Sequence, residues 1–335
     1  MDFNDEVSDG RFIVRTRPSN RQVSDRIRSH SFARIRHLPK WITRKRRLPS
    51  IHVVIATIGR AQVVQQTVDI LAEQTRHADE ILVVTVGPED VAGIDQARSK
   101  ARVLFSEKGL CRQRNRALDE LQDAADIIVF FDDDLVPAAD YLAHVEALFA
   151  AHPDMVGITG ELCADGVLHG GFTVEEARAI LASRSEAHAP MRHRHELYGC
   201  NMAIRMSAAR DMRFDENLPL YGWQEDIDFT NRLGRKGRQV STGAVTGVHL
   251  GVSAGRTSGK RLGYSQVANV VYLQRKGTMR RDFGNRLMMQ NLVSNAWRSL
   301  RPEPLIDRRG RLLGNMIAIL DCLRGRVDPR RILEM

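Results

Sequence analysis

The sequence predicts an α/β fold, a mostly parallel Rossmann-like sheet flanked by helices, with a basic N-terminal arm before it and a helical C-terminal extension after it. Three observations carry this. Short apolar runs lacking polar alternation, such as Ile51–Ala56 and residues 81–84 and 127–131, read as strands buried on both faces. Segments with helical spacing separate them. Strands that alternate with helices imply βαβ crossovers and hence parallel pairing. The chain has 335 residues, 43% of them hydrophobic and 27% charged, enough to bury such a core and to exclude wholesale disorder.

Taken in order, residues 1–49 form an arm rich in Arg, broken by Pro18, Pro39 and Pro49, with a basic helix possible over residues 24–41. The first strand, Ile51–Ala56, ends in the turn Thr57-Ile58-Gly59. A helix follows over residues 61–74, where Val64, Val68 and Leu71 share a face. Strands come next at 81–84 and 103–105, then a helix over Leu110–Leu121. The strand at 127–131 runs straight into Asp132-Asp133-Asp134. Pro137 is expected to open a helix through residue 150, because proline suits a first helical turn. Beyond residue 155 the alternation fades. Strands are expected at 156–159 and 198–204, a helix over 225–236, and one or two short strands over 240–248. Residues 161–196 are polar and unreadable, and from residue 262 the chain is helical and basic. The division that results is an arm (1–49), a catalytic domain (50–255, with a nucleotide-binding half 50–150 and an acceptor half 151–255), and a basic helical region (256–335).

The formal charge of +9 is unevenly spread. Residues 1–49 carry an excess of eight positive charges and residues 256–335 an excess of eleven, whereas residues 50–255 carry an excess of ten negative charges. Basic ends of this kind suit an anionic surface or phosphate ligands. Four dispersed cysteines with no CxxC pair argue against a zinc knuckle or a disulfide framework. No apolar run approaches the roughly 18 residues of a membrane span, and the polar start MDFNDEVSDG lacks a signal-peptide core. A cytoplasmic protein is expected, with a peripheral position at the inner face of the membrane as an extension of that expectation.

The densest chemical signal is Asp132-Asp133-Asp134. Three carboxylates at a strand end repel unless a cation offsets them, and Mg²⁺ or Mn²⁺ commonly bridges carboxylates to substrate phosphates. In extended chain, Asp132 and Asp134 face one side. In open α/β sheets, ligands sit beyond the carboxyl ends of the strands, which draws the chemistry to Thr57, Thr85, Ser106 and Asp132. A second group is Trp223-Gln224-Glu225-Asp226, where acidic residues at a helix start suit either its dipole or a proton-accepting role. A third is Arg112, Arg114 and Asn115, following Gly109 at a helix start, where phosphate can approach or where the arginines simply meet solvent. His249 is either structural or a ligand for a divalent ion. Asn201 and Tyr198 are candidates to line an acceptor pocket.

The order of these motifs resembles glycosyltransferase family 2, over about residues 50–275. The resemblance implies the GT-A fold and an inverting, metal-dependent transfer of a sugar from a nucleotide-sugar donor, UDP-linked in the first instance, to a saccharide or lipid-linked acceptor hydroxyl, in polysaccharide or glycolipid synthesis. It implies nucleotide contacts from the segment through Thr57, Gly59 and Arg60. The DxD motif falls on Asp132 and Asp134, with Asp134 the metal ligand and Mn²⁺ or Mg²⁺ the ion. The Gly-x-x-x-x-Arg-Asn stretch falls on Gly109 to Asn115. Asp226 of the Glu225-Asp226 pair takes the place of the base, and His249 completes the metal site. One departure stands out. Where the family often places an aspartate after the second strand, this chain has Thr85 and Val86, which leaves the choice of base open.

Rival readings fare worse. A sugar-phosphate nucleotidyltransferase wants a Gly-rich basic loop after the first strand, and only Gly59-Arg60 stands there. A non-enzymatic membrane or nucleic-acid binder leaves the acidic centre unexplained, and no nucleic acid partner is expected. A dinucleotide oxidoreductase needs a GxGxxG that is missing after the first strand.

Overall fold

In the computed structural model, residues 48–335 are described except 169, 185–189, 253–257, 302 and 304–305; the arm and its expected helix lie outside the described residues. Pro49–Met335 form one compact unit. Its sheet contains β1 (Ile51–Ala56), β2 (Glu80–Thr85), β3 (Ala101–Phe105), β4 (Ile127–Asp132), β5 (Leu135–Pro137), β6 (Met155–Asp165), β7 (Arg192–His193), β8 (Asn201–Arg205) and β9 (Arg238–His249), in the order β3-β2-β1-β4-β8-β6-β9-β5, with β7 on β9. The helices are α1 (Ala61–Leu71), α2 (Gln96–Ser99), α3 (Leu110–Leu121), α4 (Tyr141–Ala151), α5 (Val174–Ala182), α6 (Met206–Ala209), α7 (Glu225–Leu233), α8 (Gly259–Lys276), α9 (Arg281–Ser299) and α10 (Arg308–Leu323).

The first half follows the periodicity of the sequence. β1 lies between β2 and β4, and β3 flanks β2, all parallel. Because successive strand residues face opposite ways, Val53 and Ile55 pack with Val64, Val68 and Leu71 of α1, while Val54 packs on the other face with Leu118 and Leu121 of α3. These residues are almost wholly excluded from solvent.

The second half is mixed, which is why the alternation fades. β8 runs antiparallel to both β4 and β6, and β5 antiparallel to β9, so these neighbours need no crossover helix. β6 and β9 are long parallel partners interrupted by register shifts. One shift skips residues 243–245 of β9, so a single strand reads in sequence like two short ones. Pro137 does not open a helix: it closes β5 opposite Gly247, and α4 begins only at Tyr141. Proline is tolerated there because β5 sits at the edge of the sheet.

The C-terminal helices pack on the same unit. α8 and α10 cross backbone to backbone. A Cβ at Gly263 would lie 2.0 Å from the Arg311 carbonyl oxygen, and one at Gly314 would lie 2.0 Å from that of Lys260. Beside the crossing, a buried amide network joins the helices: Asn315 Nδ2 donates to the Gly263 carbonyl (2.6 Å), and Asn295 Nδ2 donates to Gln266 Oε1 (2.8 Å) and Asn315 Oδ1 (2.9 Å). Gly314→Val is expected to destabilise the protein by about 3 kcal/mol, the cost of overpacking a site walled by backbone. Urea denaturation checks this, with Ala150→Val, exposed on α4, as the comparison.

Candidate functional site

The topology gathers the chemistry. β1, β2 and β4 are parallel, so Thr57, Thr85 and Asp132 leave the sheet at one edge. β6 is antiparallel to β8, which is antiparallel to β4, so β6 ends at that same edge, and its parallel neighbour β9 ends there too. Asp165 and His249, the last residues of β6 and β9, are register partners. Leu135, directly after the three aspartates, pairs with His249 from the other side.

Each aspartate of the triplet meets a different partner. Asp133 is buried, accepts from the Thr57 hydroxyl at 2.7 Å and pairs with Arg60 Nη1 at 2.7 Å. Burial and the neighbouring Asp134 raise its pKa to about 6, against the pull of Arg60 and Thr57. Asp134 is also buried. Its Oδ1 lies 3.0 Å from His249 Nε2, and its Oδ2 accepts the Val252 N–H at 2.9 Å. Burial alone would raise its pKa, but His249, Arg60 and that N–H outweigh burial and hold it below the usual value. Asp132 is the most open of the three, about a third exposed, and its nearest cation is Arg114 at 3.5 Å.

One oxygen each of Asp132 and Asp134 and a ring nitrogen of His249 lie within 4.8 Å of one another. Two hard oxygens and an imidazole suit Mn²⁺, Mg²⁺ or a similar divalent ion, which would take the place of the direct Asp134–His249 contact. The other ring nitrogen, Nδ1, faces Asp165 Oδ1 at 3.1 Å. A carboxylate behind a ligating histidine fixes its ring and raises its basicity. Asp165 escaped the sequence because only the pairing of β6 with β9 brings it to His249, and nothing local signals that pairing.

Next to the triplet stands Arg114 of α3, almost wholly buried between the rings of Phe130 and Phe214, each centred 5.4 Å from the guanidinium. It binds Glu225 Oε1 at 2.5 Å and the Gly199 carbonyl at 2.8 Å. Gly199 turns its N–H to Asp226 Oδ2 at 3.0 Å, while the Ile227 N–H reaches Asp226 Oδ1 at 2.8 Å. A Cβ on Gly199 would come within 3.2 Å of both Asp226 and Arg114, so that backbone position admits no side chain without displacement. Burial raises the Asp226 pKa, despite those two N–H donors and Arg114, and Asp132 adds to the rise. Burial likewise lifts Glu225 to about 8, against Arg114 and with help from Asp226 and Asp132. The loop leading into α7 is strained, with non-glycine Leu220 and Gln224 at φ of 58° and 71°. Strain of this kind gathers at functional sites. Gln224 is buried, and neither end of its amide has a hydrogen-bond partner.

Other candidates sit elsewhere or are already engaged. Arg112 is exposed and pairs with Glu107 and Glu216 at the surface. Asn115 is tied to the Phe214 backbone and to Glu216. Asn201, fully buried, spends its amide on Thr159 and the Gly160 carbonyl, so it braces β8 against β6 and does not line a pocket. The N–H of the half-buried Tyr198 donates to the Thr159 hydroxyl oxygen. Trp223 is half-buried against the core and accepts Asn269 Nδ2 on its carbonyl. Gly59 donates its N–H to Asp90 Oδ1 at 2.6 Å. Asp90 Oδ2 also takes the Thr85 hydroxyl (2.8 Å) and the Gly87 N–H (3.0 Å). Where the family often has an aspartate after the second strand, Thr85 therefore engages one supplied five residues later. Gln113 clamps the carbonyls of Thr57 and Val84 from α3.

Asp165→Asn leaves the three donor groups in place and is expected to weaken Mn²⁺ affinity about 10–100-fold; Asp134→Ala is expected to abolish it. Calorimetric titration of Mn²⁺ in the presence of a nucleoside diphosphate checks both.

Residues 52–213 match the family model described as Glycosyl transferase family 2. No curated protein sequence matches the chain. Among solved structures, GalNAc-T7, crystallised with UDP, GalNAc and Mn²⁺, superposes with a TM-score of 0.52 at 13% identity over 86% of this chain and 56% of its own. The chain thus spans little more than half the length of that protein. TarS 1-349 of S. aureus superposes with a TM-score of 0.51 at 16% identity, over 83% of this chain and 82% of its own. Residues 52–213, a little under half of the chain, thus match glycosyltransferase family 2, and the mostly parallel sheet shares the GT-A-like fold of these solved structures.

Proposed function

We propose that the protein transfers a sugar, with inversion, from a nucleotide-sugar donor to an acceptor hydroxyl in a metal-dependent reaction. The donor is taken to be UDP-linked, in line with the UDP bound to GalNAc-T7. The acceptor class is a saccharide or a lipid-linked saccharide, in polysaccharide or glycolipid synthesis. One observation carries the reading: Arg114 stands between the possible ion-binding carboxylate Asp132 and the Glu225-Asp226 pair, so an acceptor-side base adjoins a diphosphate-side acidic edge.

Thr57, Gly59 and Arg60 form the floor beneath the nucleotide. Asp133 holds Arg60 there, which makes these residues a rigid support for the donor. Asp132, Asp134 and His249 hold the divalent ion, which when bound offsets the negative charge of the diphosphate leaving group. Asp226, held by the Gly199 and Ile227 N–H groups, accepts the proton of the acceptor hydroxyl as that oxygen attacks the anomeric carbon from the face opposite the diphosphate. A single displacement of this kind inverts the configuration. Glu225 pairs with Arg114 and keeps that guanidinium in place beside the base.

Asp226→Asn is expected to reduce turnover about 10²–10⁴-fold, the usual share of general-base help, while nucleotide-plus-Mn²⁺ affinity stays within a factor of two or so of the wild type. Nucleoside diphosphate release from a panel of nucleotide sugars, together with calorimetry, checks this. Near-normal turnover would remove Asp226 from the role. The pH profile offers a separate check. A base works only when ionised, and burial raises the Asp226 pKa, so kcat/KM should fall on acidification at a pH above the ordinary aspartate range. A rate that stays flat down to that range would contradict the assignment.

A further inference from the structure

The C-terminal helices carry an apolar face that the catalytic reading does not use. On α9, Met289, Val293, Trp297 and Leu300, at its C-cap, are 54–74% exposed. At 3.6 residues per turn they fall within an arc of about 80°. On α10, Leu313, Met316, Leu320 and Leu323 are 44–80% exposed and fall within a similar arc of about 80°. These two helices account for most of the large apolar side chains exposed among the described residues. Scattered exposed leucines need no explanation; two periodic stripes on neighbouring helices mark an interaction surface.

Charge indicates what covers it. Arg286 lies at the start of the α9 stripe and Arg301 just past its end; Arg309 and Arg324 stand in the same relation to the α10 stripe, and all four are exposed. The acidic residues of this region are otherwise engaged. Asp282 pairs with Arg280, Glu303 with Arg298 and Arg308, Asp307 caps α10, and Asp321 is buried against Tyr264 and Arg331. A second copy of the chain would set arginine against arginine. The chain's own first 49 residues, with their excess of eight positive charges, meet the same repulsion. An anionic bilayer complements both components. Its acyl region accepts the apolar stripe, the arginines reach its headgroups, and a tryptophan suits the boundary between them.

We propose that α9 and α10 lie in the plane of an anionic lipid surface, with Trp297 and Leu320 entering the headgroup–acyl boundary. No described helix is long and apolar enough to cross a membrane, so this contact is interfacial. Each arginine near such a surface strengthens binding about fivefold, and the apolar side chains add a component that salt does not screen. The proposal stands apart from the sugar-transfer reading, because none of its residues belongs to the candidate site.

Flotation of the full-length protein with phosphatidylcholine vesicles, with and without phosphatidylglycerol, tests it. The wild type should float with the anionic vesicles and far less with phosphatidylcholine alone. Trp297→Ala combined with Leu320→Ala should weaken partitioning about tenfold or more, with unchanged melting temperature and Mn²⁺-nucleotide binding. In a second measurement, bromine-labelled lipid should quench the emission of the wild type more than that of Trp297→Phe. Equal flotation of the double variant and the wild type would overturn the proposal, because binding would then reside in other basic segments. So would failure of the wild type to float, equal quenching of Trp297→Phe, or a wild-type dimer that the double variant dissolves.

Discussion

Crowded carboxylates at one edge of the sheet are the constraint on which the rest depends. Asp132, Asp133, Asp134, Asp165, Glu225 and Asp226 belong to one connected set of contacts, and most of them are shielded from water. Burying charge without a partner is costly. The chain responds with two arginines and a histidine, each placed between carboxylates: Arg60 between Asp133 and Asp134, Arg114 between Asp132 and Glu225, His249 between Asp134 and Asp165. An acidic edge alone signals a cation. An acidic edge with internal basic side chains at fixed posts is already organised before any ion or phosphate arrives.

That arrangement refines the electrostatic expectation from sequence. The sequence sets Asp132 and Asp134 on one side for an ion, with Asp133 turned elsewhere. In the fold they divide. Asp133 turns inward and becomes part of the floor with Thr57 and Arg60, while Asp132 and Asp134 stay on the side of His249. Asp133 and Asp134 form the turn between β4 and β5, so the turn, and not strand alternation, makes the division. Loss of Asp133 would release Thr57 and Arg60 while leaving the Asp132, Asp134 and His249 group intact.

Legibility followed the range of the interactions. The first four strands and their helices announce themselves through local hydrophobic runs, and Leu110–Leu121 was readable to its ends. The Asp-rich strand end stood out by residue type, whereas Glu225-Asp226 and His249 were weak signals singly and were picked out by the order of the motifs along the chain. Asp165, Asp90 and Gly199 were not, because each acts through a partner distant in sequence: a parallel strand for Asp165, the Gly59 N–H for Asp90, and two side chains from separate helices for Gly199. Arg112, Asn115 and Asn201 looked suitable by type, yet their hydrogen bonds go to a surface carboxylate pair, a loop and a neighbouring strand. Pro137 misled for a related reason, since only edge-strand pairing with β9 distinguishes it from a helix opening.

The bare glycine crossing between α8 and α10 bears on how the molecule carries itself. With no side chains between the two backbones at Gly263 and Gly314, and with amides locking the flank, the pair has little room to slide or roll. α8 begins ten residues beyond His249, so this tightly packed pair follows closely on the acidic edge. A substituent at either glycine would push the two backbones apart only a short stretch of chain away from His249.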